Sequence, residues 1–321
     1  MEKRITALVI LNYNNYVDTI NCIESVEKYN TAPIKYIIVD NGSTNKNAIS
    51  VIHSFLGKEF KGDYLYLEED NKIPDSLPKV TFLVSKTNDG YARGNNKGLN
   101  LAYRDATIDN ILILNNDVLF IEDIIPELVD AYYHKLKDVA ILSPILYKKD
   151  LKELDYNCAK KNETIWDATK KNLFHYYYLL TKQNEQQISP HRYLLLNGIP
   201  KQDFLRIELP SGSCMFINKK LFQEIGSFDS NTFLYWEENI LFKKIERIHK
   251  VNYLCTKIKC IHLGASSTSS TPSLFIINCG IESKLYYMRY YSGCNKLSYW
   301  LFKMSCYLFK YSYVLQKKVL R

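Results

Sequence analysis

Four short polar clusters, each placed where an apolar run stops, contain the residues of this chain best suited to chemistry. Ile111–Leu114 is followed by Asn115-Asn116-Asp117. A carboxylate exposed at the end of a buried strand reaches a hard cation through oxygen. Mg²⁺ and Mn²⁺ are commonly held by one or two such carboxylates together with substrate phosphates. The same tripeptide is also an ordinary polar turn. Asp40 ends the run Tyr36–Val39 and precedes Asn41-Gly42-Ser43. An acid there can accept hydrogen bonds from a ribose or base, or close an Asx-turn on its own backbone. Asn12-Tyr13-Asn14-Asn15 ends the first apolar run, and Asn88–Gly98 reads NDGYARGNNKG, with glycines at 90, 94 and 98. That spacing fits neither the dinucleotide fingerprint nor a P-loop. A flexible loop with Arg93 and Lys97 at a helix start could hold a diphosphate, or be a glycine loop with solvated charges.

Two further elements lie late in the chain. Glu237 and Glu238 follow the aromatic run Phe233–Trp236. A carboxylate at a helix N-terminus stays ionised, which suits a general base taking a proton from an attacking hydroxyl and equally suits a plain helix cap. His262 follows an apolar run and precedes the Gly264–Ser267 loop. A lone histidine is more often a packed or surface residue than a ligand, although the polar loop beside it favours a site.

The elements that must position these groups alternate. Strand-like runs at Thr6–Leu11, Tyr36–Val39, Val80–Val84, Ile111–Leu114 and Val139–Leu142 are separated by helical patterns, among them Val17, Ile20, Ile23 and Val26, then residues 95–103. Strands too apolar to have a wet face predict a mostly parallel sheet covered by helices on both sides. Ligands then bind beyond the carboxyl ends of the strands, where the four clusters fall. Residues 145–209 lose this rhythm and read as a helical or irregular insertion without a motif. Order returns at Pro210–Ser213, a turn leading into a strand at Cys214–Ile217, then a helix from near Glu237 and a last strand at Ile258–His262.

The totals fit one domain of about 250 residues with an appendage. The chain has 321 residues, 46% of them apolar and 24% charged, which argues against disorder, and the net charge of +8 suits an anionic partner. Eight cysteines lack any short paired spacing, and Cys255 and Cys260 are too far apart for a zinc knuckle. The start reads as a strand rather than a signal peptide, so free thiols in a reducing, cytoplasmic setting are expected. Arg289, Lys296, Lys303, Lys310 and Lys317 recur every seven residues among Tyr, Trp, Phe and Leu. In a helix they form a drifting basic stripe of the kind an interfacial membrane helix carries. The rival is a C-terminal helix packed on the domain with its lysines in water.

Taken in order, VILNYN (9–14), VDNGS (39–43), NDGYARGNNKG (88–98), LNNDV (114–118), SGSCMFI (211–217), Phe228-Asp229, FLYWEENIL (233–241) and His262 resemble the family 2 inverting glycosyltransferases of GT-A fold, and within them the rhamnosyltransferase-like branch of bacterial surface-polysaccharide synthesis. The resemblance covers roughly residues 4–267. It implies a GT-A domain over 1–270, with a nucleotide-binding half (1–145), a variable insertion (145–209) and an acceptor half (210–270), then a helical aromatic and basic tail (271–321). It implies a nucleotide-sugar site at Asn12, Asn14, Asp40, Asn88, Arg93, Asn96, Asn115 and Asn116, with Asp40 on the nucleoside. Asp117 would be the metal-binding acid of a DxD-type motif whose first acid is Asn115 here, and His262 would add a contact to Mn²⁺ or Mg²⁺ or to the diphosphate. Ser211, Gly212 and Trp236 would meet the acceptor. The family's base lies in a Glu-Asp pair that is Glu237-Glu238 here, which favours Glu238 and leaves Glu237 open. Ile240 replaces an aspartate that often makes an acceptor contact.

The implied reaction moves a sugar from a UDP- or dTDP-linked donor to a hydroxyl of a saccharide or lipid-linked saccharide, with inversion. The implied setting is the inner face of the cell membrane and capsule or surface-polysaccharide synthesis, an anionic membrane surface being a partner and nucleic acid not. A sugar-nucleotide pyrophosphorylase would place a glycine-rich basic loop after the first strand, where this chain has Asn12–Asn15. A non-catalytic nucleotide-sugar-binding subunit is the other rival, kept by the Glu-Glu pair.

Overall fold

The computed structural model describes residues 4–264 and 273–319. The expected alternation is present. Strands β1 (Ile5–Asn12), β2 (Ile34–Asp40), β3 (Tyr64–Glu68), β4 (Val80–Val84) and β5 (Ile108–Asn115) form a parallel block in the spatial order β3-β4-β2-β1-β5. Helices α1 (Tyr16–Tyr29), α2 (Lys46–Glu59) and α3 (Gly90–Arg104) connect them. Side chains alternate across the sheet, so a strand covered on both faces must be apolar at every position. Leu8, Ile10, Tyr36 and Ile38 enter one core layer, and Ala7, Val9, Ile37 and Val39 the other.

The sheet continues less simply. After β5 come β6 (Val118–Phe120), α4 (Ile125–Asp130), β7 (Val139–Tyr147) and β8 (Ala159–Lys160). Helices α5 (Ile165–Leu173), α6 (His175–Leu180) and α7 (Glu185–Ile188) follow, then β9 (Phe204–Ile207), β10 (Leu209–Pro210), β11 (Cys214–Asn218), α8 (Lys219–Glu224), α9 (Glu237–Arg247) and β12 (Val251–His262). Strand β11 inserts antiparallel between β5 and β7. Strand β12 runs parallel to β7 and antiparallel to β6 and β9. The sheet is therefore mixed at this end, and the insertion has three short helices and three short strands where sequence rhythm was lost.

The glycines of NDGYARGNNKG have a packing role. The segment is helical from Gly90 rather than a flexible loop. Gly94 and Gly98 face the sheet, where an added Cβ would lie 2.7 Å from Leu11 Cδ1 and 2.7 Å from Val9 Cγ1 respectively. Spacing of four places both on one helical face and lets α3 approach β1 closely.

The C-terminal region is a hairpin of α10 (Leu274–Tyr290) and α11 (Lys296–Val319), broken at Gly293, whose φ is +72°. The sevenfold stripe is therefore split. Arg289 lies on α10 and Lys296, Lys303 and Lys310 on α11, while the side chain of Lys317 and residues 265–267 lie outside the described ones. The hairpin is not an appended tail. Tyr287, Met288, Phe302 and Cys306 pack with Ala168 of α5 and Ile240 of α9 in a third core. All eight cysteines are free and seven are buried.

Gly98→Val should force α3 off the sheet and destabilise the protein by about 1–3 kcal/mol. Thermal unfolding checks this, and an unchanged midpoint would show that the helix does not depend on close approach.

Candidate active site

The sheet register assembles the metal-type residues. Asp117 lies in the turn between β5 and β6, and β12 pairs His262 with Val118. The Leu263 N–H donates to the Asp117 carbonyl at 2.9 Å. This holds His262 Nε2 3.5 Å from Asp117 Oδ1. Ser213 Oγ, at the start of β11, is 3.1 Å from the same nitrogen, and His262 Nδ1 is 2.8 Å from Asp155 Oδ2. Burial alone would lower the imidazole pKa, but hydrogen bonds to Asp117 and Asp155 and their charges outweigh it and raise it to about 9. Burial would likewise raise Asp155, and its bonds to His262 and Asn157 overcome that and hold it below its ordinary value.

Asp155 had no signal in the sequence beyond its own Asx-turn, in which Asn157 N–H donates to Oδ1 at 3.0 Å. Among the described residues no three His, Cys, Asp or Glu side chains form a closed metal cage. Asp117 Oδ1 and His262 Nε2 instead converge as an open pair. That is the donor set expected when phosphate oxygens complete the coordination, and Asp155 fixes the histidine through its other nitrogen.

The two glutamates separate cleanly. Glu238 lines a cavity of about 540 Å³ shared with His262, Asp155, Ser211 and Trp236. Its Oε1 accepts from the Gly212 N–H at 3.1 Å, and a Cβ on Gly212 would come within 2.5 Å of that oxygen. Gly212 is thus an orienting backbone contact of Glu238, held in turn by Tyr91 Oη donating to its carbonyl at 2.7 Å. Glu237 is 4% exposed, with Oε1 unpartnered. Burial and the neighbouring Glu238 push its carboxyl well above the carboxylate range. Glu237 is thus buried beside the cavity that Glu238 lines and is not part of its lining. Tyr235 and Trp236 both have φ of +73° immediately before α9. Non-glycine residues rarely adopt this conformation, at a cost of about 1–3 kcal/mol each. It turns Trp236 onto Tyr287, with ring centroids 5.0 Å apart.

The remaining motif residues form the scaffold of the carboxyl edge. Asp40 is fully buried, accepting from Asn12 Nδ2 at 2.7 Å, Ser43 N at 2.9 Å and Ser43 Oγ at 2.6 Å. It closes the Asx-turn and ties the Asn12–Asn15 loop to Asp40–Ser43, with Asn14 N–H donating to Ser43 Oγ. Asn116 Nδ2 donates to Thr19 Oγ1 and Asn15 O, anchoring the start of α1. Asn115 N–H donates to Ser213 O. Asn88 accepts from Asn41 Nδ2 and Gly90 N–H.

Arg93 and Asn96 are directed elsewhere. Arg93 Nε donates to Ser230 O at 2.7 Å, and Asn96 Nδ2 donates to Phe228 O at 2.9 Å. Lys97 pairs with Asp89 and Glu69. These three clamp the 228–230 loop and the start of α3. Asp229 in that loop accepts from Tyr286 and Tyr291, which fastens the hairpin to the domain.

A nucleotide-type α/β sheet with an acidic turn at the end of β5 and a carboxylate at the mouth of a neighbouring cavity is a GT-A glycosyltransferase architecture. The solved mannosyltransferase PcManGT of Pyrobaculum calidifontis, in complex with GDP-Man and Mn²⁺, superposes with a TM-score of 0.53 at 11% identity over 98% of this chain and 75% of that one. GalNAc-T7 with UDP, GalNAc and Mn²⁺ superposes with a TM-score of 0.57 at 12% identity, over 89% of this chain and 48% of that one. The glycosyl transferase family 2 model matches residues 7–226, and the chain belongs to that family. It is also 22% identical over 259 residues to the low-salt glycan biosynthesis hexosyltransferase Agl10 of Haloferax volcanii, spanning 80% of this chain and 66% of that relative.

His262 sets a pH dependence. Its folded pKa of about 9 lies above its ordinary value of 6.5, so the stability it contributes is complete below 6.5 and disappears as pH rises through 9. In EDTA, NMR titration of His262 should show a midpoint near 9, and Asp155→Asn should move it down by about one unit or more. An unshifted midpoint would remove Asp155 from its role.

Proposed function

We propose that this protein is an inverting, divalent-metal-dependent glycosyltransferase that moves a sugar from a nucleotide diphosphate to an acceptor hydroxyl. The observation that carries this reading is one cavity lined by both Glu238, held by the Gly212 N–H, and His262, the partner of Asp117. The acceptor hydroxyl lies against Glu238, which takes its proton as the oxygen attacks the anomeric carbon. The diphosphate leaves from the opposite face, so the configuration inverts. Asp117 and His262 would hold the metal, with the imidazole neutral at Nε2, and the bound ion would neutralise charge on the departing diphosphate. An imidazole beside a carboxylate suits Mn²⁺ better than Mg²⁺, which prefers oxygen alone. Asn14, Ser43 and Asn115 face the nucleotide from a rim that Asp40 and Asn116 hold in place.

UDP- and dTDP-linked hexoses and rhamnose are the first donors to test, with GDP-mannose added because a structural neighbour was solved with it. The acceptor we assign is a saccharide on a lipid carrier, in capsule or surface-polysaccharide synthesis. In a donor panel with Mn²⁺, Glu238→Gln should lower transfer by about 10²–10⁴-fold and leave donor binding intact. Asp117→Ala should abolish metal-dependent release of nucleotide diphosphate. A metal-independent wild type, or full activity in Glu238→Gln, would overturn the mechanism.

The setting is the surface of an anionic membrane. Among the described residues no helix is long and apolar enough to cross a bilayer. Helix α11 buries Phe302 and Cys306, yet its outer face exposes Leu297, Trp300, Leu301, Met304, Tyr307 and Leu308. These positions recur at three and four, one continuous face, bordered on one side by Lys296, Lys303 and Lys310. An apolar face beside a row of lysines matches an anionic lipid surface. Leu301→Glu with Leu308→Glu should cut binding to phosphatidylglycerol vesicles by tenfold or more, measured by co-sedimentation. Unchanged sedimentation would assign the stripe to another role.

A further inference from the structure

A second cavity, of about 470 Å³, adjoins the one that contains Glu238. The two share a wall made of Lys171, Glu185, Tyr235, Trp236 and Lys284. Beyond that wall the second cavity is mainly apolar, lined by Ile276, Ile277 and Ile281 of α10, Phe309 of α11, Tyr178 of α6 and Ile188 of α7, with Asn172, His175 and Gln183 as its polar lining. It therefore lies among the helices of the hairpin and the insertion, against the inner face of α11 that carries Cys306 and Phe309. Gly280 keeps it open. An added Cβ there would meet only Tyr235 Cδ2, at 3.5 Å, so any larger side chain would grow into the space.

The shared wall is charged and out of balance. Lys171, Arg192 and Lys284 meet only two carboxylates, Glu163 and Glu185. Lys171 bonds both acids, with Nζ 2.6 Å from Glu185, and Arg192 is 3.2 Å from Glu163. Lys284 is left furthest out, 3.6 Å from Glu163, and lies 5.5 Å over the Trp236 ring and 5.7 Å over that of Phe302. On the catalytic side Lys160 lines the same cavity as Asp155 and Glu238. A buried positive charge that shares its counterion with two other cations is under-compensated, and a ligand anion at this wall would lower the cost. Sugar chemistry at Glu238, an anion at Lys284 and hydrocarbon beyond Trp236 follow one another in space.

We propose that the two cavities are one acceptor site for an amphiphile, with the saccharide against Glu238, a phosphate at Lys284 and a hydrocarbon chain between α10 and α11. This rests on the reading of the Glu238 cavity as the acceptor site. It assigns residues that none of the sequence motifs include, and explains why the hairpin is built into the domain. The chain would pass from the wall into the space that Gly280 leaves open. Trp236, held by its left-handed backbone, marks the boundary between polar and apolar halves.

The test uses the full chain and dodecyl phosphate below its micelle concentration, with inorganic phosphate and dodecanol as the two half-ligands, in titration calorimetry. Dodecyl phosphate should bind at least tenfold more tightly than either half. Gly280→Leu, and independently Ile277→Trp, should weaken it about tenfold and leave inorganic phosphate unaffected. Lys284→Met should weaken dodecyl phosphate and inorganic phosphate and leave dodecanol unaffected. Leu301→Glu, on the outer stripe, should change none of these. Equal binding of dodecyl phosphate in wild type and both cavity-filling variants overturns the proposal, as does loss of binding with Leu301→Glu, which would place the amphiphile on the surface. Donor hydrolysis to water, measured alongside in each variant, reports on the transferase reading separately and on the integrity of the fold.

Discussion

Strand β11 runs against the direction of its neighbours, with Cys214 opposite Leu114 and Phe216 opposite Leu142. The parallel strands finish at one edge of the sheet, and an antiparallel strand must begin there. Ser213 therefore stands across from Asn115, one residue from the backbone N–H that holds Glu238 and bonded to the imidazole facing Asp117. A slip of one residue in this pairing would turn each side chain to the other face. The acid that would bind metal and the carboxylate that would take the proton are thus spaced by a strand register, not by a flexible loop.

The other half of the edge depends on satisfied burial. Asp40 has no exposure, and a buried carboxylate without donors would be strongly disfavoured. Asn12 and Ser43 supply the donors, Asn12 Oδ1 accepts from Thr19, and Asn116 joins Thr19 to the Asn15 carbonyl. One connected network thereby fixes the ends of β1, β2 and β5 relative to the start of α1. Networks of this kind are rigid when every member is satisfied, which is the property a nucleotide rim requires.

Much of this was legible in the chain before folding. Strands buried on both faces have a continuous apolar pattern, so β1, β2, β4, β5 and part of β7 could be read directly, as could the polar stops after them. Strand β3, with only Leu67 buried, and the three-residue β6 had no such pattern. Glycines spaced by four did not distinguish a phosphate loop from a helix pressed on a sheet, because both need the absence of a Cβ. Periodicity in the basic tail survived the break at Gly293 only by coincidence of counting. Asp155 and Lys284 were out of reach for a different reason. Asp155 acts through His262 and Lys284 pairs with Glu163, partners far away along the chain that no local pattern encodes.

The seven buried thiols have a consequence for handling the protein. Burial raises the pKa of Cys158 to about 12 and of Cys306 to about 11, and pushes Cys22 and Cys260 higher still. Thiolate is the reactive form, so in the native state these sulfurs are nearly inert toward oxidants and alkylating agents. Unfolding exposes all eight at once and returns the shifted ones to ordinary acidity. The seven buried thiols are then shielded in the folded chain and exposed in the unfolded one, so that in air each excursion out of the native state can end in disulfide-linked material. Irreversible loss would track the rate of unfolding rather than the equilibrium between the two states.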